Sequence, residues 1–135
     1  DADVAATDEF GSTALILAAR AGMEGLCREL LKRPSVEVDA QNHFGSTALI
    51  CASTNGHLEV CELLVAHGAS VHCRTRMGST ALGKAAACGR ETVCRLLIGA
   101  GATTDVRSKL GESASDMARK AGHNELALLL QPNAS

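Results

Sequence analysis

Apolar and polar positions along the chain alternate between two kinds of short stretch. The first kind is rich in Ala and Leu and follows Thr13, Thr47 and Thr80. The second carries paired leucines, in LCRELL, VCELLV, VCRLLI and LALLLQ. Gly-Ser-Thr-Ala-Leu begins at Gly11, Gly45 and Gly78, and a degraded copy, Gly-Glu-Ser-Ala-Ser, begins at Gly111. The spacings are 34, 33 and 33 residues. A second glycine recurs eleven residues after each start, at Gly22, Gly56, Gly89 and Gly122. Self-similarity at a fixed period in this range marks a repeat array.

Each unit reads as helix, turn, helix and an extended segment. The threonine hydroxyls are placed to cap a helix N-terminus. The second glycine suits the left-handed residue that ends a helix. Gly68 and Gly101 mark the end of the second helix, and GASVHCRTRMG and GATTDVRSKLG follow as extended segments. One unit has too little core to stand alone, and stacking builds a continuous one. The predicted architecture is an all-α solenoid of stacked helix–turn–helix units with β-hairpin or extended loops. Its units span about 8–41, 42–74, 75–107 and 108–131 in a single domain over 1–135.

Composition sharpens this picture. The chain has 135 residues, of which 46% are hydrophobic, with two Phe and no Trp or Tyr. Its core is therefore expected to be built from Ala, Leu, Val and Cys. A net charge of -2 argues against wholesale nucleic-acid binding. No apolar run approaches the length needed to cross a bilayer. The opening DADVAATDEF lacks the charged and apolar regions of a signal peptide.

GSTALICASTNGHLEVCELLVAHGASVHC, residues 45–73, resembles the ankyrin-repeat pattern over nearly its full length. The resemblance extends over about residues 2–131 and implies a fold without fixing a function. Departures from the pattern are informative. Ala14, Ala48 and Ala81 stand where the family usually has Pro, and Ile16, Ile50 and Gly83 where it usually has His. Pro34 occupies a Gly slot in the first unit. Ser115, Asp116 and Arg119 give the fourth unit a polar outer face, as a C-terminal cap requires. Ala2–Ala5 aligns with Ala69–His72, so residues 1–7 are expected to be the remnant of a preceding repeat or cap. The chain then reads as an excerpt, or as trimmed, with only PNAS beyond Gln131. Its open N-terminal end offers a face for self-association.

Candidate chemistry is sparse. Cys27, Cys61 and Cys94 share one repeat position on the Leu-rich face. Stacked helices lie roughly 8–10 Å apart, whereas a disulfide needs Cα atoms within about 7 Å. These three read as small core residues. No C-x-x-C pair exists, and His72-Cys73 lacks partners at metal-site spacing. Free thiols point to a reducing compartment, hence an intracellular protein, cytoplasmic or nuclear. His57 and His123 occupy the family's Gly-His position, which implies a local structural role. No nucleophile–base spacing, phosphate loop or dinucleotide fingerprint is present. No catalytic residue, cofactor, metal or small-molecule substrate is therefore expected.

By the resemblance, the residue pairs before each glycine lie at finger tips beside a concave face. They are Glu9-Phe10, His43-Phe44, Arg76-Met77 and Lys109-Leu110. The second member is large and apolar in all four, so stacking would align them in a ladder. Burying four such side chains is worth roughly 6–12 kcal/mol gross, against an association cost of about 4–15 kcal/mol. Polar contacts would then have to set specificity. Two readings stand: the aromatic tips contact a partner, or they fold onto neighbouring fingers and stiffen the row. Arg74, Arg76, Arg107 and Lys109 make the third and fourth fingers basic. Arg20, Thr54, Asn55, Ala87, Cys88 and Lys120 are expected on the same concavity, the small Ala87 and Cys88 leaving room beside Met77.

The expected function is that of a non-enzymatic module binding another protein or peptide that carries an acidic and apolar segment. Two alternatives remain: an inhibitor covering an enzyme such as a kinase or protease, and contact with anionic lipid or nucleic acid through the basic fingers. A catalytic domain elsewhere in a longer chain would make the array its targeting arm. Irregular repeats and six Cys argue against a designed binder.

Overall fold

The computed structural model describes residues 6–132. The expected remnant at Ala2–Ala5 and the last three residues of the PNAS tail lie outside that span. Among the described residues are eight α-helices: α1 (Ala14–Ala21), α2 (Glu24–Leu31), α3 (Ala48–Thr54), α4 (Leu58–Ala66), α5 (Ala81–Ala87), α6 (Glu91–Gly99), α7 (Ala114–Lys120) and α8 (Asn124–Leu129). They pair as α1–α2, α3–α4, α5–α6 and α7–α8, and the pairs stack in chain order.

Local sequence fixes where each pair begins and turns. Thr13, Thr47, Thr80 and Ser113 cap the inner helices α1, α3, α5 and α7 in extended backbone. Each side-chain oxygen accepts the N–H three residues on, at 3.2 Å. Each such cap is worth about 0.5–2 kcal/mol. The helix-ending glycines Gly22, Gly56, Gly89 and Gly122 all have left-handed φ. That geometry lets the next residue's N–H reach back to the preceding helix, from Met23 to Ala18 O and from His57 to Ala52 O.

Packing follows from residue size. Leu15, Ile16, Leu49, Ile50 and Leu82 are buried beside Ala18, Ala19, Ala52, Ala85 and Ala86. Alanines let the inner helices approach closely, and these pack on one another more extensively than the outer helices α2, α4 and α6 do. Cys27, Cys61 and Cys94 are buried on the outer helices.

One alternative is settled and two expectations change. The fingers between units contain no strand among the described residues; one isolated bridge, Thr7 with Thr13, is all the β pairing there. Ser115 is not on an outer face: it is buried, and its hydroxyl donates to Ala127 O at 2.7 Å. Nor is the fourth unit polar throughout its far side. Leu129 is 55% exposed, whereas Leu63, at the same position in the second unit, is 7% exposed beneath its neighbour. Leu128 is exposed as well.

Candidate functional site

Each finger is a tight turn built on one side-chain acceptor. Asp8 Oδ1 accepts the N–H of Phe10 and Ser12, and Asn42 Oδ1 accepts those of Phe44 and Ser46. Ser108 Oγ does the same for Leu110 and Glu112. Asp, Asn and Ser serve here because a short polar side chain can satisfy backbone two and four residues on. The turns close at Gly11, Gly45, Gly78 and Gly111, all at positive φ.

The fingers are then tied to one another. The His43 N–H donates to Phe10 O at 2.9 Å, the Arg76 N–H to Phe44 O at 3.0 Å, and the Lys109 N–H to Met77 O at 2.8 Å. The bonds join the tip pairs themselves, in place of hairpin ladders. A second row of bonds comes from side chains. Gln41 Nε2 donates to Gly45 O and Arg74 O, and Arg74 donates to Gly78 O and Arg107 O. Arg107 reaches Gly111 O at 2.8 Å and Asp116 Oδ2 at 3.3 Å. Arg74 and Arg107 are exposed, but their guanidinium groups are engaged in holding the finger row.

The four apolar tips remain open to solvent: Phe10 46%, Phe44 59%, Met77 52% and Leu110 67% exposed. Phe10 and Phe44 also touch, with ring centroids 6.1 Å apart. Ring contact within the row and exposure outward thus coexist. The exposed His43 leans back over Gly11, so close that a Cβ there would meet its Cδ2 at 2.5 Å.

A groove of about 390 Å³ opens between the second and third fingers and the inner helices. Phe44 and Met77 form its apolar wall, Arg20, Arg76 and Lys84 its cationic groups, and Cys51 lies among them. Burial pushes the Cys51 thiol above its ordinary value, against the opposing pull of Arg20 and Lys84. Asn55 stands at the adjoining hollow with Arg20, where its Nδ2 donates to Arg20 O at 2.9 Å.

The structure brings Phe44, Arg76, Met77 and Arg20 together in one groove. It does not bring Cys88 there: Cys88 is the exposed C-cap of α5, and neither it nor Ala87 lines the groove beside Met77. Lys120 pairs with Glu112 at 3.0 Å. Lys109 and Leu110 stand exposed at the fourth tip. Cys51 and Lys84 were not foreseen. The signal was available, because residues three apart share a helix face, and Arg20, Thr54 and Ala87 lead back to Leu17, Cys51 and Lys84.

All six cysteines are free thiols. No cluster of three or more His, Cys, Asp or Glu able to hold a metal occurs among the described residues. No described helix is long and apolar enough to cross a membrane.

Two family models match the chain. One, described as ankyrin repeats (3 copies), covers residues 1–75, and another, ankyrin repeats (many copies), covers residues 55–98. The α7–α8 pair lies beyond both matches. No curated protein matches the chain significantly.

Proposed function

Because the chain belongs to the ankyrin-repeat family, whose members generally bind other proteins, we propose that it is a non-enzymatic docking module. Its partner is a protein segment that lies along the finger tips and the concave face of the inner helices. The observation carrying this reading is the row of four exposed apolar tips, Phe10, Phe44, Met77 and Leu110, three of whose carbonyls accept from the next finger. An exposed apolar row on a preformed frame favours binding, because less ordering is left to do on association. Arg76 and Lys109 flank the row as cations without an ion pair among the described residues, and steer an acidic segment toward it.

The test is affinity capture on the chain and on a Phe44→Asp/Met77→Asp version of equal helicity and melting temperature. Captured proteins lost from the double variant support docking on the tips. Identical capture by both baits moves the site elsewhere. Binding that weakens steeply with salt and survives loss of the tips would favour phosphate contact instead.

A further inference from the structure

Resting on the docking reading above, we propose that the groove between the second and third fingers is an acid-specific pocket. Arg20, Arg76 and Lys84 hold an Asp or Glu carboxylate of an extended partner segment, while Phe44 and Met77 grip the apolar residue beside it.

Charge is segregated across the molecule. The ion pairs of the outer helices, Arg28–Glu24, Lys32–Glu29 and Arg95–Glu91, satisfy their cations locally. Arg107 and Arg119 share Asp116 in the fourth unit. Arg20, Arg76 and Lys84 make no ion pair among the described residues, and no carboxylate lines the groove they share. Three uncompensated cations in one concavity focus a positive potential there. Two are arginines, whose planar fork matches a carboxylate in a bidentate pair.

Two further observations narrow the ligand. The carbonyls of Phe44 and Met77 already accept from Arg76 and Lys109. A partner extending the row by strand pairing, in the manner of β-augmentation, would have to share those acceptors. Recognition through side chains meets no such competition. The groove also joins its cations to two large apolar groups, each more than half exposed. A bare phosphate would leave those groups wet, whereas an acidic residue beside an apolar one covers both. At about 390 Å³ the groove lies within the ordinary size range of ligand pockets.

A random-peptide display library selected on the chain tests this directly. Enriched peptides are synthesised and titrated against the chain, Lys84→Glu, Arg76→Glu and Phe44→Asp. The expected result is a shared Asp or Glu next to an aromatic or aliphatic residue. Affinity should fall at least about tenfold in either charge reversal. Exchange of the peptide's acid for Lys should restore binding to Lys84→Glu. This rescue separates lost recognition from lost folding. Enriched peptides without an acid, or indifferent to both reversals yet lost on Phe44→Asp, overturn the acid pocket and leave docking on the tips intact. Peptides indifferent to all three variants, or no enrichment at all, overturn the docking reading with it. Phosphatidylserine vesicles or a single-stranded oligonucleotide bound through Lys84, with no acidic peptide selected, would make the groove a phosphate site and also overturn the proposal.

Discussion

The rings of Phe10 and Phe44 lie 6.1 Å apart and tilted by 31°, while each remains about half exposed. The only two aromatic residues of the chain thus form a pair across adjacent fingers. That pair is weakly buried, so its own contribution to stability is small, and its exposed edges remain free for a partner.

A double-mutant cycle measures this division. Phe10→Ala and Phe44→Ala should show a coupling energy near the lower end of about 0.5–1.5 kcal/mol, read from urea unfolding. A coupling well above that range would make the pair a structural clasp.

Glycine substitutions should separate strained from unstrained positions. At Gly45, φ is 80° and a Cβ would lie 2.8 Å from the Arg76 backbone nitrogen. Gly45→Ala should cost about 1–3 kcal/mol and disturb the second and third fingers together. Gly25, in α2, has nothing within 4 Å of its Cβ direction. Gly25→Ala should stabilise by about 0.4–1 kcal/mol. Urea midpoints moving in opposite directions would bear this out.

The buried thiols give stability an alkaline limit. Desolvation raises Cys27, Cys61 and Cys94, with nearby carboxylates adding to the effect, and Cys94 is pushed up to about 12. An unfolded chain releases its thiol protons near pH ~8.5, where the native chain still holds them. Stability is therefore full below that pH and declines as pH rises toward the native value. Urea midpoints across alkaline pH should fall, and Cys94→Val should flatten part of the decline. Thiol labelling of the native protein should mark the exposed Cys88 well before these three.

Asp116 sets the behaviour in acid. It accepts the Ser113 N–H at 3.0 Å and closes a capping box at the start of α7. These hydrogen bonds, with Arg119 and Arg107 beside them, hold its carboxyl below the ordinary value. Its contribution is present above the unfolded value and is lost as pH falls through the lower, native one. Asp116→Asn should lower stability near neutral pH and weaken the acid dependence of melting.

Much of the fold was legible because its determinants are local. A Thr before an Ala/Leu stretch and a Gly eleven residues after the finger glycine fix helix ends locally, the Thr through its side-chain oxygen and the Gly through its left-handed backbone. The four tips were legible through the family resemblance, which sets the pair before each such glycine at a finger tip. What was not legible depends on neighbouring units. Arg74 and Arg107 look like free surface cations in the sequence, yet each finds a carbonyl in its own finger, and Arg74 one in the next. Ser115 looks like cap polarity, yet it turns inward to Ala127 O. The groove required knowing that Arg20 of the first unit, Cys51 of the second and Lys84 of the third meet across the stack.

The bonds joining each tip to the next also set a pitch. Successive tips advance with the stack, by roughly the 8–10 Å between packed helices. An extended chain covers that distance in about three residues, at ~3.3 Å each. The finger row is therefore a ruler graduated in tripeptides. A segment docked along the tips as proposed would need about three residues to pass from one tip to the next, and one inserted residue would put it out of step beyond that point.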